Sequence, residues 1–146
     1  MNTTSRATVI VKRRFDATAE AVFDAWLDPE RAGRWLFATP TGQMVRVEID
    51  ARIGGGFEMV ERRDGENIEH VGTYLEIDRP RRLVFSFTVP KFSNEATRVE
   101  IDIAPEMKGW ELLLTHHGVF AEYAERTSDG WSSILDNLKS CTTDRP

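Results

Sequence analysis

The spacing of apolar residues predicts one strand and two short helices in the first part of the chain. Residues 7 to 15 are rich in β-branched side chains and end in charge, which is typical of a strand. Between residues 18 and 36, apolar residues recur every three or four positions, which predicts helices. Thr18 can cap the first helix, and Asp28 can cap the second, where Pro29 suits the first helical position.

From residue 44 onward the apolar period changes to two, which predicts a run of strands. The predicted strands span residues 44 to 50, 52 to 62, 68 to 78, 83 to 89, 97 to 105 and 110 to 118. Short turns join them, with Asp64-Gly65 as the core of one hairpin, so neighbouring strands should pair antiparallel. Most strands are apolar on one face only, as with Val45, Val47 and Ile49, so one face of the sheet should be covered.

A C-terminal helix over about residues 120 to 142 can cover that face. Its apolar stripe, at spacings of three and four, consists of Trp131, Ile134, Leu135 and Leu138. The helix could begin well before Gly130, or it could begin at Ser128 or Asp129 as its N-cap. Because Gly130 has no side chain, its backbone could lie close to the sheet or leave room for a ligand.

Composition narrows the class of protein. The length of 146 residues fits one domain, and 40% hydrophobic with 29% charged residues is ordinary for a globular protein. A net charge of −5 and a pI near 5.3 argue against general binding to nucleic acid or anionic membrane. We expect no membrane insertion, no signal peptide and, with Cys141 as the single cysteine, no internal disulfide. These features together predict a cytoplasmic protein.

Five segments carry a resemblance to a known family. They are, in order, "AVFDAWLDPERAGRWL", "RIGGGFE", "GTYLEIDRPRRLVF", "LLLTHHG" and "GWSSILDNL". Over about residues 7 to 142 the chain resembles the activator-of-heat-shock-protein-90-ATPase homologues. That group lies within the helix-grip (SRPBCC) superfamily, together with the birch-pollen allergen, START domains and polyketide cyclases.

The resemblance implies a single α+β helix-grip domain over residues 1 to 146. In that fold a curved seven-stranded antiparallel sheet wraps around a long C-terminal helix, and two short helices lie between the first and second strands. It also implies an apolar cavity and a close backbone contact at Gly72. In similar proteins the helix begins well before the position of Gly130, which favours the longer of the two helices considered above.

The candidate cavity-lining residues are mostly aromatic or aliphatic side chains on these elements. They are Trp35, Phe37, Phe57, Tyr74, Phe85, Phe87, Ile101, Leu114, His116, Trp131 and Leu135. Trp35 and Phe37 could line the cavity entrance or plug it, with plugging favoured, and Trp131 could be core or cavity wall. The pattern leaves open whether the face with Tyr74 or the face with Leu75 is concave.

The two adjacent histidines do not predict a metal site. Neighbours on a strand point to opposite faces, so His116 and His117 cannot hold one ion from one side. His116 is in phase with Leu112 and Leu114 and should face inward, either as a structural hydrogen-bonded histidine or as a ligand contact, while His117 should face solvent. We expect neither a metal nor another cofactor.

Three functions are compatible with these patterns. The first, favoured by the in-phase apolar residues, is binding of a small hydrophobic or aromatic molecule. The second is a cyclase- or hydrolase-like activity, although no nucleophile elbow is present and "RIGGGFE" lacks the strand-to-helix context of a phosphate loop. The third is activation of a chaperone ATPase. The chain has no room for the separate N-terminal domain of the eukaryotic co-chaperones, which counts against it. We expect a monomer or homodimer.

Overall fold

The computed structural model describes residues 5–39, 41–107 and 109–142, which form seven strands and three α-helices. The strands are β1 (Arg6–Phe15), β2 (Gln43–Ile49), β3 (Gly56–Arg63), β4 (Glu66–Asp78), β5 (Arg82–Phe87), β6 (Thr97–Glu106) and β7 (Gly109–Phe120). The helices are α1 (Ala19–Leu27), α2 (Pro29–Trp35) and α3 (Ala124–Thr142), the last preceded by a 3₁₀ turn, Ala121–Tyr123. The predicted order of elements is confirmed.

Local sequence signals fix the ends of the two short helices. The Thr18 side chain accepts a hydrogen bond from the Ala21 amide at 3.1 Å, which caps α1. Asp28 accepts one from the Glu30 amide at 3.1 Å and caps α2, with Pro29 in the first turn. Both predicted caps are therefore confirmed.

All strands pair antiparallel in one open sheet of order β1-β7-β6-β5-β4-β3-β2. One face of the sheet is covered by α3, whose Trp131, Leu135 and Leu138 are buried in the core while Ile134 is partly buried against it. Helix α3 begins at Ala124, so the longer of the two predicted helices is correct.

Of the two roles predicted for Gly130, close approach of its backbone to the sheet is wrong, while room for a ligand stays a prediction. Gly130 lies on the exposed side of α3, and a Cβ atom added to it would contact nothing within 4 Å. Its backbone therefore does not approach the sheet. Gly72, by contrast, lies where the resemblance placed it, because an added Cβ would overlap the Ser86 carbonyl oxygen and the Phe57 ring.

Two register shifts change which residues face the core. In β2 the pairing with β3 shifts between Met44 and Arg46, so Met44 packs against the core and Val45 is exposed. The prediction that Val45 faces inward with Val47 is therefore wrong. In β4, Tyr74 is buried and Leu75 is exposed, which shows that Tyr74 lies on the covered face, and the shift between Tyr74 and Glu76 then turns Ile77 toward the core.

Two further sequence features have a clear place in the fold. The glycine-rich segment 50–55 connects β2 directly to β3, as predicted, and no helix follows it. Cys141 is exposed. None of the helices in the described part of the chain combines the length and apolar character that crossing a membrane requires.

Candidate functional site

The side chain of Trp131 faces His116. The Trp131 indole Nε1–H donates a hydrogen bond to His116 Nδ1 at 3.0 Å, and both residues are buried. Trp131 comes from α3 and His116 from β7, so this bond ties the covering helix to the sheet. Strand alternation correctly predicted that His116 faces inward, and His117 is half-exposed beside Glu100.

A chain of hydrogen bonds fixes the protonation of His116. Its Nε2 lies 2.7 Å from Thr97 Oγ1, and the Thr97 hydroxyl donates to the Phe87 carbonyl oxygen at 3.0 Å. Since Nδ1 accepts from Trp131 and the Thr97 proton is directed at Phe87, Nε2 must carry the ring proton. His116 is therefore a neutral imidazole with both nitrogens occupied.

Burial makes the charged form of His116 unfavourable. It lowers the pKa of His116 to about 4, and the charge of the adjacent His117 contributes a smaller lowering. A proton on Nδ1 would also face the Trp131 N–H, so two donors would oppose each other. The histidine is thus a fixed polar element of the core at neutral pH.

A bulge at the end of β7 shapes the wall next to His116. The pairing of β1 and β7 shifts between Ala7 and Val9, and Gly118 has a φ of 82°, a conformation that favours glycine. As a result, the next buried residue of β7 after His116 is Val119, three positions later, and not Gly118, two positions later. The strand continues to Phe120, two residues beyond its predicted end.

A pocket of about 450 Å³ lies beside His116. It opens where β5 and β7 end, where β1 and β6 begin, and where α3 starts. Its apolar and aromatic wall includes Phe87, Val89, Phe92, Val119, Phe120 and Tyr123, and Thr97 and His116 are among its polar groups. Phe92, on the loop between β5 and β6, is 71% exposed, so the pocket has an aromatic rim open to solvent.

Beside this pocket the structure contains a buried carboxylate that the sequence analysis missed. Glu61 is fully buried and accepts hydrogen bonds from the Thr39 amide at 3.0 Å and the Arg63 Nε at 3.1 Å. Burial raises the pKa of Glu61, but the hydrogen bonds from Thr39 and Arg63 outweigh it, so the pKa is lowered. Glu61 lies two residues after Met59 on β3 and is buried on the same face. This alternation was the signal in the sequence that could have placed Glu61 in the core.

His70 is a second buried polar residue that the sequence analysis did not select. Its Nδ1 lies 3.2 Å from the Met59 carbonyl oxygen, and burial lowers its pKa. The His70 and Phe37 ring centroids are 4.4 Å apart and nearly parallel. His70 is in phase with Ile68 and Tyr74, so alternation could have placed it inward.

The ring of Phe37 packs against the rings of both His70 and Phe87, and those two rings also lie near each other, with centroids 6.2 Å apart. The φ of Phe37 is 60°, a left-handed conformation that is costly for a bulky residue, and its centroid lies 5.2 Å from that of Phe87. The bonds from Thr39 to Glu61 hold the loop that carries it. Phe37 and Trp35 are both buried, and that they plug a cavity entrance stays a prediction.

The structure divides the eleven candidate residues into three groups. Phe87 and His116 line the 450 Å³ pocket, and Trp35 lines a smaller pocket of about 250 Å³ beside Cys141. The remaining candidates lie in the core and line neither pocket: Phe37, Phe57, Tyr74, Phe85, Ile101, Leu114, Trp131 and Leu135. That these core residues contact a ligand stays a prediction.

Within residues 5–39, 41–107 and 109–142, no group of three or more His, Cys, Asp and Glu side chains could hold an ion.

Comparison with known proteins identifies the family. The model of the family described as activator of Hsp90 ATPase homolog 1-like protein matches residues 16–143. The chain belongs to this family. The predicted membership of the AHSA1-like group is therefore confirmed. Among curated proteins, none matches the sequence.

Solved structures share the fold of this AHSA1-like chain. Protein CV1439 from Chromobacterium violaceum has a TM-score of 0.86 at 25% identity, over 94% of this chain and 98% of that chain. The AHSA1-like protein from Aeromonas hydrophila has a TM-score of 0.81 at 23% identity, over 94% and 92%. A protein of unknown function, SA2116 from Staphylococcus aureus, has a TM-score of 0.84 at 15% identity, over 95% and 94%. The predicted α+β helix-grip fold is confirmed.

Proposed function

We propose that this chain acts as a single helix-grip domain that binds a small ligand with an aromatic or apolar body in the pocket beside His116. The observation that carries the proposal is the pocket itself. Its volume of about 450 Å³ lies within the usual range for small-molecule sites, and aromatic rings form much of its wall. A few fixed polar groups, among them His116 and Thr97, stand among those rings, which is the composition of a ligand site.

The polarity of the hydrogen bonds favours binding over catalysis. Thr97 lies against His116 as a nucleophile lies against its base, but its proton is directed at the Phe87 carbonyl oxygen. The histidine therefore donates to the hydroxyl instead of accepting from it, which is opposite to base activation. With a pKa near 4, His116 is also far from the value that suits a general base at neutral pH.

The surface gives less support to a chaperone contact. Two exposed apolar side chains of the sheet, Ile10 on β1 and Leu75 on β4, are separated by β7, β6 and β5. A recognition surface for another protein is usually a contiguous apolar patch, and these two residues do not form one. Ile10 and Leu75 therefore give no support to ATPase activation over ligand binding.

The proposal can be tested with a neutral aromatic probe and a variant that fills the pocket. Addition of 2-naphthol to ¹⁵N-labelled protein should shift the NMR signals of residues around His116. Val89→Trp should abolish these shifts, because a tryptophan at a pocket-lining position occupies the space of the probe. Val45→Trp, at an exposed position of the edge strand β2, is the matched control and should retain them.

Two results would contradict the proposal. If 2-naphthol and related neutral aromatics shift no signal around His116, the pocket is not a binding site for this class of molecule. If Val89→Trp binds the probe as well as Val45→Trp does, the ligand site lies elsewhere. Native mass spectrometry of the purified protein adds an independent measurement, because a retained small molecule would be detected directly.

A further inference from the structure

The pocket carries positive charge in a chain whose net charge is −5. Among the described residues, the charged side chains that line it are three arginines, Arg6, Arg63 and Arg126, and one carboxylate, Glu95, which sum to +2. The sign of the pocket is therefore opposite to that of the whole protein. A charge imbalance of this kind selects for ligands of the opposite charge.

Two of the three guanidinium groups are engaged by the protein itself. Arg6 Nη1 donates to the Gly118 carbonyl oxygen at 2.9 Å, and its Nη2 pairs with Glu95. Arg63 Nε donates to the buried Glu61 at 3.1 Å. These contacts hold the two side chains at the edge of the pocket and use part of their hydrogen-bonding capacity.

Arg126 differs from the other two. It is exposed, its guanidinium lies 5.7 Å from the Tyr123 ring centroid, and it pairs with no carboxylate in the described part of the chain. Its donors are therefore open toward the pocket mouth. A guanidinium group presents a planar fork of N–H donors that matches a carboxylate in a bidentate pair.

The position of Arg126 in its helix strengthens this point. Arg126 is the third residue of α3, where the helix dipole is positive and a cation is unfavourable. Helix stability therefore does not explain an arginine there, because Glu125 in the first turn already supplies the acidic residue that suits the helix dipole. A carboxylate at the pocket mouth would give this guanidinium the partner that the helix does not require.

We infer that the ligand is an aromatic carboxylate whose ring lies beside Phe87 and His116 and whose carboxylate pairs with Arg126 at the pocket mouth. This inference rests on the proposed function and adds the chemical class of the ligand. The neutral His116 and the aromatic wall of the pocket suit the aromatic ring of the ligand. The exposed Phe92 and Tyr123 can cover that ring from the solvent side. One open guanidinium matches one carboxylate.

A pair of isosteric probes tests the inference. Isothermal titration of the full chain at neutral pH and low salt compares 2-naphthoate with 2-naphthamide, which has the same ring and no charge. The carboxylate should bind about tenfold more tightly, the scale of one charge-assisted hydrogen bond at an exposed rim. The preference should shrink as salt is added.

Substitution of Arg126 should remove the preference alone. In Arg126→Gln the affinity for 2-naphthoate should fall about tenfold to the level of 2-naphthamide, whose affinity should stay unchanged. Arg52→Gln is the matched control, because Arg52 is exposed, pairs with Asp50 and does not line the pocket. Arg52→Gln changes the net charge by the same amount as Arg126→Gln does, and it should keep the preference for 2-naphthoate over 2-naphthamide.

The outcomes separate this inference from the proposed function. Equal affinity of wild type for the two probes would overturn the carboxylate assignment and leave aromatic binding intact. A preference that survives in Arg126→Gln as it does in Arg52→Gln would overturn the role of Arg126. Binding of neither probe would contradict the proposed function itself.

Discussion

Acidification should destabilise this protein through one buried histidine. The pKa of His116 is about 4 in the folded protein, against an ordinary value of 6.5 when unfolded, and burial is the main cause. The unfolded chain therefore binds the proton more tightly than the folded protein does between these two values. The stability that comes from neutral His116 is fully present above pH 6.5 and is lost as the pH falls to about 4.

The size of the loss follows from the size of the shift. A difference of about 2.5 pKa units corresponds to about 3 kcal/mol, at 1.36 kcal/mol for each unit. That is a large part of the roughly 5–15 kcal/mol that stabilises a domain. Urea denaturation at a series of pH values between 7 and 4 measures it directly, since the midpoint and slope give the free energy of unfolding.

Carboxylates and His70 also titrate in acid, so the contribution of His116 must be isolated. In His116→Gln, the amide can accept from Trp131 and donate to Thr97 but cannot ionise. Wild type should therefore lose about 3 kcal/mol more than His116→Gln between pH 7 and pH 4. Parallel pH profiles for these two proteins would refute the reasoning.

Three further changes test one buried hydrogen bond and the surroundings of two glycines. Trp131→Phe should cost about 1–3 kcal/mol more than Trp26→Phe in urea denaturation, because Trp131 Nε1 donates to His116 whereas Trp26 Nε1 is buried without a described partner. Equal costs would show that the bond to His116 adds no stability. Gly130→Ala should raise the thermal midpoint and stabilise by about 1 kcal/mol, since the site is open and helical, and a loss would contradict the geometry. Gly72→Ala should cost about 1–3 kcal/mol through overlap with Ser86, and a neutral effect on the urea midpoint would contradict that close contact.

Much of the fold was accessible from the sequence because its signals are local. The cap at Thr18, the proline that follows Asp28 and the Asp64-Gly65 turn each fix an element end through a nearby hydrogen bond or a backbone preference. The stripe containing Trp131 fixes the buried face of α3 for the same reason. Local geometry and tertiary packing agree at these positions, so the local pattern was sufficient.

The errors arise where a contact between strands changes the local phase. The exposure of Val45 follows from a bulge that exists only in the pairing of β2 with β3. The bulge at Gly118 likewise brings Val119 to the pocket. Because these shifts belong to pairs of strands, strict alternation along one strand could not predict them.

The candidate site was harder to predict than the core for a related reason. Most of the named candidates are large apolar residues, and such residues are buried in any core whether or not a ligand is present. The residues that distinguish the pocket are instead Arg126, Glu95 and Phe92, which lie at a helix start and on a loop. Their significance depends on which strand ends and helix ends meet beside the pocket.

The arrangement of polar groups indicates how the two parts of the site divide their roles. At the floor, His116 and Thr97 have their donors and acceptors matched within the protein, so a ligand finds a rigid, neutral surface there. At the mouth, Arg126 has no carboxylate partner among the described residues, so a polar ligand group can be recognised there without breaking an internal ion pair. A molecule that binds this pocket should therefore gain affinity from its ring at the floor and orientation from its charge at the rim.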